Sequence, residues 1–320
     1  MLSRSIVVDQ TQYAFLDMLS LPDYTGVNFT PTVHHHVPPS LSTAIQVLPS
    51  PFVVCITGAS RGIGAATAVA FAQAGTSGLI LTARHIEGLE VTKKLCLKAA
   101  RLKTLKVEIL VAEAGADEEP ARKIASVAEK NFGRLDVLIN NAGVLGTHPS
   151  AFAKHTHDIE LSQIQAMMNI NYTGRFVAIK HLMPLMLASP NGAKTTINIS
   201  SAGSHIVMPG APTGFCISAL AANRLTEYVG EAYLELGVLA YSVHPGDVST
   251  TPSPPGLPDW MKKGVKDDAG LCGAFCIWLV KKRRDWLNGR YLSANWDVDE
   301  LEAKKNMIIA EDKLKMRMVV

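Results

Sequence analysis

Two stretches of this 320-residue sequence hold residue types at spacings that could do chemistry. The first is TGASRGIG, residues 57–64, which follows a run of β-branched residues and opens a helical pattern. Glycine lets a backbone turn sharply and approach an anion, and a helix N-terminus offers unpaired N–H groups and a positive dipole end. The stretch is therefore a candidate pyrophosphate cradle made by Gly58, Ser60, Arg61, Gly62, Ile63 and Gly64, although its glycine spacing differs from GxGxxG. About twenty residues beyond the last glycine, an acidic residue would bind a ribose 2′-hydroxyl and an arginine would accommodate a 2′-phosphate. Arg84 stands there, at the end of the second strand pattern, and with Arg61 it favours NADP(H) over NAD(H).

The second stretch runs from NISSAG, 198–203, through His205 to FCISALAANR, 215–224. Serine hydroxyls can bond a substrate oxygen, and imidazole titrates near neutral pH. His205 is thus a candidate acid, against the plainer reading of a loop histidine packed on substrate or solvent. His244, His155 and His157 read as local structure or exposed loop. HHH at 34–36 lacks a second ligand cluster, so a solvated loop is favoured over a metal site.

These residues need a scaffold, and the pattern supplies one. From residue 52 short apolar β-branched runs alternate with helical patterns, which implies an α/β fold with a doubly wound, mostly parallel sheet, a Rossmann-like three-layer sandwich. PFVVCITG, GLILTAR, KVEILVA, RLDVLIN, TTINIS, VLAYSVHPG and GRYLSAN read as strands, with one long helix expected over about 158–187. Residues 1–50 lack sustained periodicity and form an extension that wraps or trails; 51–296 form the nucleotide-binding domain; 297–320 form a charged C-terminal helix. The run SPPGLPDWMKK, 253–263, is either a lid over an apolar ligand or a connector.

Composition narrows the class. Charged residues are 18% and the net charge is +3, from 31 basic and 28 acidic residues, too balanced to suggest nucleic acid and leaving a small molecule as the expected partner. Five cysteines without CxxC spacing point to reduced thiols in an intracellular compartment. With no signal-like start and no uncharged run of membrane-spanning length, the cytoplasm is expected.

The ordered set TGASRGIG, NNAG (140–143), INYTG (170–174), NISSAG and HPGDVST (244–250) resembles the short-chain dehydrogenase/reductase family over about 52–296, and the long N-terminus and ending look like fungal members of specialised metabolism. The resemblance implies that Asn141, Ala142 and Gly143 line the adenosine side, and that Pro245, Gly246, Val248 and Thr250 lie along the nicotinamide. It implies a homodimer or homotetramer. It makes Asn171 and Ser201, with Ser200 as alternative, catalytic. It also exposes departures. The family Tyr and Lys fall on Phe215 and Ala219, and no tyrosine of the chain has lysine four residues later. The Asp that often holds adenine is missing, with Glu113 or Asp117 as substitutes. Three functions stay open: an NADP(H)-dependent oxidoreductase on a small carbonyl or alcohol, a non-redox isomerase, dehydratase or cyclase, or a silent nucleotide-binding subunit.

Overall fold

The computed structural model describes residues 23–207, 211–249, 256–259 and 267–318. Thr250 and most of the 253–263 run lie outside them. Seven strands form one parallel sheet in the order β3-β2-β1-β4-β5-β6-β7. They are β1 Val53–Thr57, β2 Gly78–Ala83, β3 Lys106–Val111, β4 Val137–Asn140, β5 Thr195–Ile199, β6 Leu239–His244 and β7 Arg290–Ser293. Every residue of β1, β2, β4 and β5 is buried, which is why these strands read as continuous apolar runs without alternation.

One sheet face carries α1 (Gly62–Ala74), α2 (Ile86–Ala99) and α7 (Ala269–Lys281); the other carries α3 (Glu119–Phe132), α5 (Gly174–Ala188) and α6 (Thr213–Ala232). The apolar run LCGAFCIWLV is buried in α7, packed on α1. Gly273 permits that approach, since a Cβ there would lie 2.8 Å from Thr67 Cα. After β3 the chain returns to the other side of β1, so the strand order reverses between β1 and β4, and a crevice opens at their carboxyl ends.

Three expectations change. The single helix over 158–187 is α4 (Leu161–Met168), a π turn at Asn169–Thr173, and α5. The histidine run is no solvated loop: His34 Nε2 lies 2.9 Å from Asp297 Oδ2 and His35 Nδ1 2.5 Å from Asp267 Oδ1. The C-terminal helix over 297–320 is two short helices, α8 (Val298–Ala303) and α9 (Lys305–Ala310). Positive φ at Asp312 and Leu314 then turns the chain so that Arg224 donates to Met316 O and Arg317 pairs with Glu227. Those tertiary bonds replace the helical ones beyond residue 310.

Residues 23–50 wrap the domain. Thr32 donates from N and Oγ1 to Glu300, Trp296 Nε1 donates to Gly26 O, and Gln46 Nε2 donates to Ala274 O. The extension and the chain end therefore close on each other beside β7. Among the described residues no helix is long and apolar enough to cross a membrane. All five cysteines are free thiols, and burial pushes Cys55 and Cys96 up to about 12.

Candidate functional site

The glycine loop is shaped by contacts that exclude a side chain. A Cβ on Gly64 would stand 2.4 Å from Gly58 O and 2.5 Å from Asn141 Nδ2; one on Gly58, whose φ is +65°, would stand 2.8 Å from Ala142 Cα. Gly62 at φ +54° turns the chain into α1. The loop is tied to the segment after β4: Asn141 Nδ2 donates to Thr57 O and Gly58 O, and the N–H groups of Asn141 and Ala142 donate to Thr57 Oγ1. The two sides of the crevice are thereby held at one spacing. Asn140 sits beneath, donating to Asn198, which donates to Thr226.

Ser60 lies against the N-terminal end of α2, where a Cβ on Gly88 would be 2.8 Å from Ser60 O. That contact, which the sequence reading missed, brings the strand end carrying Arg84 beside the loop carrying Ser60, Arg61, Gly62 and Ile63. Gly88, near the start of the helical pattern that follows GLILTAR, was its only signal. Arg84 is exposed, with Glu113 Oε1 3.9 Å away. Of the two proposed adenine partners, Glu113 is exposed beside Arg84, and Asp117 Oδ1 accepts from Glu119 N at the start of α3. These features fit a dinucleotide: a backbone cradle closed to Cβ atoms at the start of a helix, at the carboxyl end of β1.

On the other side of the crevice, Asn171 stands in the π turn, 1% exposed. Its Oδ1 accepts from Val144 N, and its Nδ2 donates to Val144 O and Ser218 Oγ. It clasps the segment after Gly143 to α6. Ser200 is buried and donates to Asn223 Oδ1 at 2.6 Å. Ser201 is half-buried; its Oγ accepts from Gly203 N, and its hydroxyl proton has no acceptor among the described residues. Of the two serines, Ser201 is the one able to donate to a ligand.

His205 belongs to a directional chain. Ser200 donates to Asn223, Asn223 Nδ2 to Ser204 Oγ, Ser204 to His205 Nδ1, and His205 Nε2–H to Thr25 O. The carbonyl can only accept, so the proton sits on Nε2 and both ring nitrogens are engaged. Its ring meets Tyr291 edge-on at 4.7 Å. These bonds suit a residue that anchors the serine loop to the N-terminal segment. Burial lowers the His205 pKa, and burial likewise lowers that of His244, whose Nδ1 accepts from Ala202 N.

A pH dependence follows. Both folded values lie below the ordinary 6.5, so between them and 6.5 the unfolded chain binds more protons, and their contribution is complete above 6.5. The urea midpoint is expected to fall as pH drops below about 6.5. A midpoint that rose between pH 6.5 and 5.5 would contradict neutral, buried imidazoles.

Phe215 and Ala219 lie one turn apart on α6, with Ser218 between them on Asn171. Phe215, like Val144, Leu145, Ile164 and Leu257, packs against a small apolar cluster of Ala151, Phe152 and Met167 that is separate from the two main cores. Ala219 is buried. The loop after β6 carries Pro245, Gly246 and Val248, and Gly246, at φ +92°, leaves 2.6 Å between a would-be Cβ and Asp267 Oδ2. Asp267 accepts from Asp247 N and pairs with His35, so the extension steadies this loop as well. Among the described residues no group of three or more His, Cys, Asp or Glu could hold a metal.

Residues 52–257 match the short chain dehydrogenase family. The chain is 37% identical over 309 residues to short chain dehydrogenase pgmD of Aspergillus terreus, covering 95% of this chain and 98% of that one. It is equally identical over 309 residues to short chain dehydrogenase citE of Monascus ruber, covering 94% and 100%. In structure it resembles levodione reductase (TM-score 0.66, 22% identity, 76% and 96% covered). It also resembles a Shigella flexneri short chain dehydrogenase complexed with NADP (TM-score 0.65, 22% identity, 78% and 98% covered). With the crevice, its glycine cradle and a match across most of the domain, the chain belongs to the short chain dehydrogenase family.

Proposed function

We propose that the protein is an NADP(H)-dependent oxidoreductase of fungal specialised metabolism, acting on a small hydrophobic carbonyl or alcohol with an altered catalytic set. The observation that carries the cofactor half is the Cβ-excluding cradle of Gly58 and Gly64 beside Arg61 and Arg84. The full-length fungal relatives and the NADP complex of the Shigella protein support it. When bound, the dinucleotide supplies or accepts hydride. Ser201 O–H donates a hydrogen bond to the substrate oxygen, Asn171 holds the Val144 backbone in place, and His205 fixes the serine loop. With Phe215 and Ala219 at the family Tyr and Lys positions, the substrate proton is exchanged with water, at a cost of about 10²–10⁴ in rate.

The apolar cluster around Phe215 favours a second reading, a non-redox isomerase, dehydratase or cyclase whose pocket gains from losing two polar groups. Titration with NADPH and NADH, followed by nicotinamide fluorescence, separates the cofactor question from the chemistry. Selective NADPH binding with substrate-dependent oxidation supports the oxidoreductase, and turnover unaffected by removing the cofactor supports the alternative. Binding of a ligand without turnover would point to a silent subunit.

Arg84→Ala tests the cofactor preference directly. It is expected to weaken NADPH binding by about 10- to 100-fold, the worth of a charge-assisted hydrogen bond, and to leave NADH binding unchanged. Equal loss for both dinucleotides would assign Arg84 to the adenosine in place of the 2′-phosphate.

A further inference from the structure

Arg175 stands on the first turn of α5, four residues beyond Asn171. It is 6% exposed, no carboxylate pairs with it among the described residues, and neither Nε nor Nη1 has a hydrogen-bond partner. The other deeply buried arginines are supported differently. Arg284 pairs with Glu302 and donates to Lys282 O; Arg290 pairs with Asp312 and donates to Trp286 O. Burial pulls the Arg175 guanidinium down to about 10, which leaves it charged at neutral pH. A buried charge without a counter-charge costs stability, so its retention calls for a compensating partner.

Its surroundings indicate which partner. Gly174, the preceding residue, packs so closely that a Cβ would lie 2.8 Å from Gly115 N in the segment after β3. A Cβ on Gly143, in the segment after β4, would lie 3.3 Å from Asn171 Oδ1 and 4.0 Å from Arg175 Nη2. The Nη2 end therefore approaches Gly143, in the segment that the bonds of Asn141 tie to the glycine loop. Nη2 is also the one guanidinium nitrogen that is not both dry and unpartnered. Away from water a unit charge is weakly screened and acts across such a segment.

We propose that Arg175 is a positioning residue of the nucleotide site, a buried cation behind the Asn141–Gly143 segment whose charge is compensated when a polyanionic dinucleotide fills the crevice. The inference rests on the NADP(H) reading of that crevice. It predicts opposite signs for two properties of one variant. Arg175→Met keeps side-chain length and removes the charge, so the apo protein should melt at a higher temperature while NADPH affinity falls about 10-fold. Arg175→Lys, which keeps the charge, should retain NADPH affinity within about 3-fold of the parent.

The test is thermal unfolding of the apo proteins together with NADPH fluorescence titration of the parent, Arg175→Met and Arg175→Lys. A raised melting temperature with weakened binding, rescued by lysine, is the expected result. Unchanged NADPH affinity in Arg175→Met, with the parent binding normally, overturns the inference and leaves the dinucleotide reading standing. A variant that loses stability and affinity together also overturns it, because Arg175 would then be a structural strut. A parent that binds neither NADPH nor NADH removes the dinucleotide reading, and this inference with it.

Discussion

Phe215→Tyr combined with Ala219→Lys is expected to raise carbonyl reduction by about 10²- to 10⁴-fold, the worth of a positioned general acid. The two positions are one turn apart on α6 and so share a face of the helix. Ser218, between them, is already bonded to Asn171, so the backbone that would carry the pair is anchored. Each change alone should do less. A tyrosine hydroxyl placed against the apolar cluster of Ala151, Phe152 and Met167 without a nearby cation would keep a high pKa and transfer protons poorly. A lysine at the buried Ala219 position without the hydroxyl would be a poorly compensated charge and should lower stability. The measurement is NADPH oxidation against a panel of small hydrophobic carbonyls, compared with both single variants. No gain in the double variant, with fold and NADPH binding intact, would count against a reductase pocket and favour the non-redox reading.

Gly64→Ala should abolish measurable dinucleotide binding and cost stability. The added Cβ would meet Gly58 O at 2.4 Å and Asn141 Nδ2 at 2.5 Å, and the first of these is backbone that cannot swing aside. Relief requires the glycine loop to move away from Asn141, which breaks the bonds from Asn141 to Thr57 O and Gly58 O. Overpacking of this kind costs about 1–3 kcal/mol, and each lost hydrogen bond adds about 1 kcal/mol. Gly133→Ala is the control. Gly133, unlike Gly64, has a positive φ, +65°, but nothing lies within 4 Å of its Cβ position. It should cost only the backbone term of about 1–2 kcal/mol and leave NADPH binding at the parent value. Chemical denaturation and NADPH titration of both variants read the difference. Parent-like binding by Gly64→Ala would mean that the loop adopts another shape in the complex.

The strands were legible because a parallel sheet covered on both faces makes strands of nearly unbroken apolar residues, and Val53–Thr57 and Gly78–Ala83 are such runs. The cradle was legible for a related reason. A positive φ and a close backbone approach admit little but glycine, so Gly58, Gly62 and Gly64 record their geometry in their residue type. The break at Asn169–Thr173 was not legible, because a π turn keeps helical composition and only shifts the bonding partner.

Long-range polar partners were hidden as well. A local pattern carries no record of a partner 232 or 263 residues away, yet such contacts tie His35 to Asp267 and His34 to Asp297. The same limit applied to Ser200 and Ser201, which are adjacent and identical in sequence. Only the placement of Asn223 on α6 engages the first and leaves the proton of the second available. By itself, then, the sequence determined the layered α/β scaffold, the glycine-rich turn after β1 and that no tyrosine is followed by lysine four residues later, because periodicity, glycine and residue identity are local properties. Which hydroxyl can serve a ligand, what His205 holds, and that Arg175 is buried without a counter-charge were decided by the tertiary structure, because burial and hydrogen-bond pairing exist only once distant segments have packed.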